Sequence, residues 1–277
     1  MALGILLALA GSSYLYERFV HRSPLRFIYL TGPLVAASYD ELAARAGWSK
    51  TSLQVAPSIA LNGLLRRPKA EDAPWLVFYP GNDAHMLTRG QQLLEKLAAE
   101  RDYGLAVFAY RGFDSSGGTP QIEDLAADAS AILNHVASLP GVKRERLHVV
   151  GFSIGGYLAV RAVAAANRAG QRVASLSLMA SVNDIVMVRR APWQKFALGD
   201  ALRTQPFLAE VPPPVLVLQG GADQALAGTG QGKAIASALG ARGKYQEFDG
   251  VGHEELLDHE PALQAVRAFI AQPLGQP

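Results

Sequence analysis

The sequence predicts an α/β fold in which helices cover both faces of a mostly parallel β-sheet. Short apolar runs of strand length alternate with stretches that have helical spacing, and this alternation is typical of parallel sheets. Hydrophobic residues make up 49% of the chain, which is ample for a core between a sheet and its helices. The length of 277 residues suits one large domain with modest additions and would also accommodate two domains.

Each predicted element follows from its own stretch of chain. A short helix is expected within residues 39–46. Two strands joined by a proline-containing link are expected at 53–55 and 59–65, the second pairing antiparallel at a sheet edge. The remaining strands are expected at 75–79, 105–110, 147–150, 173–179, 214–218 and 244–248. The remaining helices are expected at 87–100, 122–139, 157–167, 232–239 and 261–271.

The chain divides into an N-terminal hydrophobic segment (1–23), a connecting segment (24–50) and a main domain (51–277). Residues 2–16 are apolar apart from two serines. As a helix they would span about 22 Å, less than the roughly 30 Å of a bilayer core. We interpret this segment as a membrane anchor, with a cleaved signal peptide or a helix docked on the domain as alternatives. Its arginines follow the apolar stretch, so an anchor would leave the main domain in the cytoplasm, whereas a signal peptide would mean export.

The composition excludes several classes of site. The net charge of +2 gives no reason to expect a nucleic-acid partner. The chain contains no cysteine, which removes disulfides, thiolate metal ligands and a cysteine nucleophile.

A strand, a sharp turn and a helix are predicted around Ser153. The apolar run that begins at Leu147 leads into Gly151-Phe152-Ser153-Ile154-Gly155, and an alanine-rich helical pattern follows. The glycines at 151 and 155 let the strand and the helix approach each other closely, while Ser153 occupies the strained apex of the turn. This is the G-x-S-x-G pattern of a nucleophile elbow, and it predicts that Ser153 is the nucleophile.

A serine hydroxyl needs a base to take its proton, and histidine is suited to that role at neutral pH. We expect His253 to be the base, because Gly250-Val251-Gly252 places it in a flexible loop between a strand and the last helix. His135 and His148 fall inside predicted elements, and His21 precedes the fold. His85 and His259 could lie near the site.

The base in turn needs an acid that orients it and stabilises its charged form. Asp223 is the expected acid, since it follows a buried strand and lies between Ser153 and His253 in the chain. A turn or helix-cap role for Asp223 is the alternative. Asp249 is the second candidate acid, although only four residues separate it from His253.

Two backbone N–H groups are expected to stabilise the oxyanion that forms during attack on a carbonyl. Ile154 supplies one from the first turn of the helix after Ser153. The loop after strand 75–79 supplies the other. Pro80 has no N–H and Gly81 permits a close bend, so Asn82 is the expected donor through its backbone.

These residues together resemble the α/β-hydrolase superfamily, and within it the Bem46-like serine hydrolases of the serine aminopeptidase and lysophospholipase-like branch. The resemblance covers roughly residues 50–273 and rests on five motifs: Pro80-Gly81-Asn82, Tyr110 to Phe113 with Ser115 to Pro120, Gly151 to Gly156, Gly220 to Asp223, and Gly250 to His253. Two positions depart from the family pattern: Pro80 replaces a histidine, and Asp223 is not followed by the usual x-x-Val-Pro.

The resemblance implies an α/β-hydrolase fold with a short cap at residues 181–212 and a hydrophobic N-terminal anchor. It also implies that Arg111 ties loops together, with pairing to a substrate carboxylate as the alternative. The apolar composition of the cap suits a small-molecule or lipid-like acyl substrate, and it would suit a segment that only closes over the core equally well.

The expected function is therefore a serine hydrolase that cleaves a carboxylic ester, thioester or amide through an acyl-enzyme, without a metal or organic cofactor. The alternatives are a catalytically silent α/β-hydrolase-fold binding protein at a membrane, and a perhydrolase or haloperoxidase.

Overall fold

The computed structural model describes residues 36–45, 47–83, 85–99, 101–114, 116–184, 202–212 and 214–272. The predicted N-terminal segment (1–23), His21 and the middle of the predicted cap (185–201) lie outside these residues. Within the described ranges no helix is both long enough and apolar enough to cross a membrane.

The core of the described chain is an eight-stranded sheet. Its strands are β1 Trp48–Ala56, β2 Ile59–Arg66, β3 Trp75–Tyr79, β4 Gly104–Phe108, β5 Leu147–Phe152, β6 Ser175–Met179, β7 Val215–Gly220 and β8 Gly243–Phe248. The spatial order is β1-β2-β4-β3-β5-β6-β7-β8. The β1–β2 and β2–β4 pairs are antiparallel, and all later pairs are parallel. The predicted mostly parallel sheet is confirmed.

Helices pack on the sheet in two separate groups. The helices are α1 Ala36–Ala44, α2 Met86–Ala98, α3 Ile122–Ala137, α4 Ile154–Arg168, α5 Gln205–Leu208, α6 Gly230–Leu239 and α7 Glu260–Ile270. Helix α2 packs against α1 and α7, whereas α4 packs against α3 and α5, and α5 packs against α6. These two groups cover opposite faces of the sheet, as the alternation of strands and helices predicts.

The central strands are buried on both faces, which explains their continuous apolar runs. Every residue of β3, β4, β5, β6 and β7 is buried. Because crossover helices cover both faces of a parallel sheet, such strands need no polar side. The strand-to-helix junctions at the carboxyl ends of these strands therefore meet along one edge, where ligands bind in this class of fold.

The fold begins earlier than the sequence boundary at residue 51. Strand β1 starts at Trp48, whose side chain is buried, and the hydroxyl of Tyr39 in α1 donates to the carbonyls of Thr51 (3.0 Å) and Gly63 (2.7 Å). Ser49 and Lys50 are exposed, as suits an edge strand. Their polarity hides the start of β1 from a search for apolar runs. Helix α1 and the first residues of β1 thus lie within the stretch that the sequence analysis treats as a connecting segment.

Candidate active site

Ser153 occupies the single-residue junction between β5 and α4. Its backbone has φ +55° and ψ −121°, and α4 begins at the next residue, Ile154. A non-glycine residue with this backbone is strained and persists only where its surroundings hold it. Here the Ser153 N–H donates to the carbonyl of Met179 (3.0 Å), and the Ser153 carbonyl accepts from Val182 N–H (3.2 Å). The predicted elbow is thus held between β5 and the end of β6.

The glycines around Ser153 make room for three different neighbours. A Cβ on Gly151 would lie 2.7 Å from the carbonyl oxygen of Gly155, which is the strand–helix approach that the sequence predicts. A Cβ on Gly155 would instead lie 2.0 Å from the Tyr79 carbonyl oxygen, at the end of β3. One on Gly156 would lie 1.6 Å from Ser181 Oγ. The glycines therefore also bring α4 against β3 and the segment after β6. The predicted helix 157–167 begins three residues later than α4 does, because glycine disfavours helices in isolation and the two glycines hid the first turn.

His253 and Asp223 lie together in the loops that follow β8 and β7. The Nδ1 atom of His253 is 2.7 Å from Oδ2 of Asp223. The two loops that carry them are joined by backbone hydrogen bonds, from Gly221 N–H to Phe248 O (2.7 Å) and from Ala222 N–H to Val251 O (2.9 Å). A Cβ on Gly220 would lie 2.4 Å from the Val251 carbonyl oxygen, so glycine is required for this approach.

The environment of Asp223 keeps its carboxylate ionised. Asp223 is 2% exposed, and burial alone would raise its pKa. The hydrogen bond and charge of His253 oppose this, together with hydrogen bonds from Leu226 N–H (2.9 Å) and Gln219 Nε2 (2.8 Å). The pKa of Asp223 is therefore lowered. Asp249, the second candidate acid, is exposed.

A small cavity brings the elbow, the loop after β3 and His253 together. It has a volume of about 50 Å³, and Ser153, His253, Asn82 and Phe152 are among its lining residues. The ring of His253 lies on Phe152 with their centroids 4.8 Å apart. A Cβ on Gly81 would lie 2.7 Å from Phe152 Cδ1 and 3.3 Å from Ser153 Cβ, so the loop that carries Asn82 crosses directly beside the serine.

Four of the five predicted site residues therefore border one region: Ser153, His253 and Asn82 line the cavity, and Asp223 lies directly behind His253. The fifth, Ile154, is buried in the first turn of α4, directly after Ser153. A helix start leaves its first N–H groups without intrahelical acceptors, so the Ile154 N–H is available beside the serine.

The other described histidines have surroundings of their own. His148 is buried in β5 and its Nδ1 is 2.8 Å from Ser175 Oγ. Burial, and to a smaller extent Arg146, lowers the pKa of His148 to about 4. His135 is partly buried within α3 and packs edge-on against Phe108. His259 packs against Phe248, and His85 is exposed just before α2.

Arg111 is engaged by carboxylates of the same domain. Its Nε and Nη2 atoms each donate to Asp128 at 2.6 Å, and its Nη1 is 2.8 Å from Asp124. Arg111 and Asp128 are both buried. This arrangement ties the loop after β4 to α3, as the family resemblance suggests.

Several residues at the site had no signal in the sequence. Gln219 donates to Asp223 from within β7, and Asp83, Arg89 and Glu254 form part of the cavity wall. Asp83 and Glu254 directly follow Asn82 and His253 in the chain. Charged residues beside a predicted site residue are the one clue that could have drawn attention to them.

The chain is similar to an α/β-hydrolase family model and to two uncharacterized bacterial proteins. A family model described as "Alpha/beta hydrolase family" matches residues 76–210. The uncharacterized protein Rv2307c of Mycobacterium tuberculosis is 32% identical over 190 residues, and the match covers 66% of each chain. The uncharacterized protein YfhR of Salmonella typhi is 33% identical over 137 residues, which are 46% of this chain and 47% of YfhR. The match thus spans just under two thirds of one relative and about half of the other.

A solved structure extends the likeness to the whole fold. The Pyrococcus furiosus esterase Pf2001 superposes with a TM-score of 0.67 at 12% identity, covering 89% of this chain and 96% of the esterase. At such low identity the likeness concerns the fold alone. It confirms the α/β-hydrolase fold predicted from the sequence.

Proposed function

Because this chain belongs to the α/β-hydrolase family, we propose that it is a serine hydrolase that cleaves a carboxylic ester, thioester or amide through an acyl-enzyme. One observation carries the proposal. Ser153 and His253 line the same cavity, and Nδ1 of His253 lies 2.7 Å from the buried carboxylate of Asp223. We place the protein in the Bem46-like branch of the family as part of this proposal.

The pairing with Asp223 determines which nitrogen of His253 acts as the base. An ionised carboxylate only accepts hydrogen bonds, so Nδ1 of His253 carries the proton that bonds to Asp223. Nε2 is then free to accept the proton of the Ser153 hydroxyl as its oxygen attacks the substrate carbonyl. The imidazolium that results is stabilised by Asp223.

The oxyanion forms when the carbonyl π electrons move onto the substrate oxygen. In the proposed mechanism the backbone N–H groups of Asn82 and Ile154 donate to that oxygen. Donors fixed by a tight loop and a helix start need no reorganisation during the reaction, and losing one typically costs about 3–4 kcal/mol.

The tetrahedral intermediate then collapses. Its C–O, C–S or C–N bond to the leaving group breaks, and His253 returns its proton to the departing alcohol, thiol or amine. In the second half of the reaction, water attacks the acyl-enzyme and His253 takes a proton from it. The bond between the acyl carbon and Ser153 Oγ then breaks, His253 returns the proton to Ser153 Oγ, and the carboxylic acid is released. The substrate in this proposal is a small-molecule or lipid-like acyl compound.

Hydrolysis of p-nitrophenyl acetate by the full chain tests the proposal. Wild-type protein should show saturable turnover, and Ser153→Ala should lower kcat by roughly 10⁶-fold while its thermal unfolding is unchanged. A folded Ser153→Ala variant with wild-type turnover would exclude the proposed nucleophile. A panel of p-nitrophenyl esters, thioesters and aminoacyl p-nitroanilides then ranks the three bond types.

We also propose that residues 1–23 anchor the chain in a membrane, because residues 2–16 are apolar and arginines occur only after them. Cell fractionation followed by N-terminal sequencing tests this. Full-length protein in the membrane fraction supports the anchor, a wholly soluble and unprocessed chain contradicts it, and a mature chain that begins near Gly11 supports a signal peptide instead.

A further inference from the structure

Arg89 contacts two loops that carry proposed catalytic groups. It lies in the first turn of α2, and its Nε is 2.5 Å from Oδ2 of Asp83, while its Nη1 donates to Oε2 of Glu254 at 2.8 Å. Asp83 directly follows Asn82, the proposed oxyanion donor, and Glu254 directly follows His253, the proposed base. One guanidinium therefore joins the oxyanion loop (80–83) to the base loop (249–254).

The contact to the oxyanion loop is built from both carboxylate oxygens of Asp83. While Oδ2 pairs with Arg89, Oδ1 accepts the backbone N–H of His85 at 2.8 Å. The side chain of Asp83 thus ties the oxyanion loop to the start of α2 through both of its oxygens. Asp83, Arg89 and Glu254 also line the cavity that contains Ser153 and His253.

We propose that Arg89 is a positioning residue that fixes the oxyanion loop relative to the base loop. The inference rests on the proposed function. Catalysis requires the Asn82 N–H and His253 to act on one tetrahedral intermediate. A change in the spacing of their loops should therefore lower kcat. The guanidinium is planar and holds its donors in a rigid fork, so it sets the separation of two carboxylates in a way that the single ammonium of lysine does not.

This role has a signature that separates it from ordinary stabilisation. The side chains of Arg89 and Glu254 are 43% and 65% exposed, and that of Asp83 is 20% exposed. Exposed ion pairs contribute little to the free energy of unfolding, typically about 0–1 kcal/mol. A small misplacement of catalytic groups, in contrast, can cost up to about 100-fold in rate. Loss of Arg89 should therefore lower kcat without lowering the thermal stability in proportion.

The same two elements provide a matched control. Lys96 of α2 forms an ion pair with Asp258, which follows Glu254 in the chain, and the Lys96 side chain is 44% exposed. This pair also connects α2 to the segment after His253, yet neither Lys96 nor Asp258 lines the cavity of Ser153. Lys96→Gln thus removes an equally exposed cross-link without releasing either loop.

The experiment measures p-nitrophenyl acetate hydrolysis and the thermal unfolding of the full chain. We expect Arg89→Gln to lower kcat by about 10- to 100-fold, Arg89→Lys to recover part of this loss, and Lys96→Gln to retain wild-type kcat, all with Tm within a few degrees of wild type. Adding Glu254→Gln to Arg89→Gln should cause little further loss, because both act through one contact.

Three outcomes would overturn the inference: Arg89→Gln with wild-type kcat, an equal loss in Lys96→Gln, or a fall in activity that only follows a fall in Tm. Absence of any turnover that depends on Ser153 in wild-type protein would instead remove the proposed function and this inference with it. That result is distinct, because it appears before any Arg89 variant is compared.

Discussion

Asp114 and Asp223 are two buried carboxylates at the same edge of the sheet, and they differ in the charge state that their surroundings favour. They are 1% and 2% exposed. Each accepts a backbone N–H, Asp114 from Leu87 at 2.7 Å and Asp223 from Leu226 at 2.9 Å. Burial raises the pKa of Asp114 to about 6, whereas the pKa of Asp223 is lowered.

The difference lies in the side chains that face each carboxylate. Asp223 receives hydrogen bonds from His253 and Gln219. For Asp114, the Oδ1 atom is buried without a hydrogen-bond partner among the described residues. The N–H groups of Leu87 and Met86 and the nearby His85 favour its ionised form, but burial, aided by the charge of Asp83, outweighs them. Burial alone therefore does not mark the acid of a hydrolase. An acid that orients a histidine must stay ionised, and the donors around Asp223 meet that requirement.

Among the aspartates, removing the charge at Asp223 in the proposed triad should have the largest effect. Asp223→Asn keeps the shape of the side chain but favours the wrong tautomer of His253, so kcat for p-nitrophenyl acetate should fall by up to about 10⁴-fold. Steady-state kinetics on protein with verified circular dichroism measures this.

Asp249→Asn is the control for that prediction, because Asp249 lies in the base loop, four residues before His253, but is exposed. Its kcat should stay close to wild type. A larger loss in Asp249→Asn than in Asp223→Asn would move the acid to Asp249.

Asp128 is a buried acid whose partner is permanently charged, so its loss should lower the free energy of unfolding rather than kcat. Asp128 accepts two hydrogen bonds of 2.6 Å from Arg111. Asp128→Asn leaves the buried guanidinium with Asp124 as its remaining ion-pair partner, so the free energy of unfolding should fall by about 3 kcal/mol. Urea denaturation measures the loss. Unchanged stability of Asp128→Asn, or a loss of kcat comparable to that of Asp223→Asn in folded protein, would contradict a structural role for Asp128.

Asp114 should lower the stability at neutral pH. Its folded pKa of about 6 exceeds the ordinary value of 3.8, so folding favours the protonated form. The cost of ionising it is absent below pH 3.8, grows as the pH rises towards 6 and is complete above that. The full cost corresponds to at most about 3 kcal/mol. Asp114→Asn should therefore unfold at higher urea concentration than wild type at pH 8 and lose this advantage at pH 4.

Asp223 provides the opposite pH dependence for comparison. Because its folded pKa lies below the ordinary 3.8, its contribution to stability is present above that pH and is lost as the pH falls through the folded pKa.

An Asp114→Asn variant whose stability differs from wild type equally at pH 4 and pH 8 would show that burial does not control the ionisation of Asp114.

Local sequence signals predicted the elements and the positions of the proposed site residues well. A strained turn restricts its neighbours, so the spacing of Gly151, Ser153 and Gly155 identifies the junction of β5 and α4. The order of Ser153, Asp223 and His253 and the turn residues around them then predicted which loops would meet. Their catalytic roles are the proposal that mutation will test.

Features that depend on contacts between distant segments were not predictable in this way. Arg89 and Glu254 are 165 residues apart in the chain, and neither has a local pattern that distinguishes it from any exposed charge. The burial of Asp114 depends on where the loop after β4 packs against the start of α2. The start of the domain before Trp48 was missed because the edge strand carries exposed polar residues.

Covalent labelling shows directly whether Ser153 is an activated nucleophile. Full-length wild-type protein and Ser153→Ala are incubated with a fluorophosphonate probe, and the modified peptide is identified by mass spectrometry. We expect one adduct per wild-type chain, on Ser153, and no adduct on the variant at equal Tm. Failure of folded wild-type protein to react, or an adduct on another residue that persists in Ser153→Ala, would contradict this expectation.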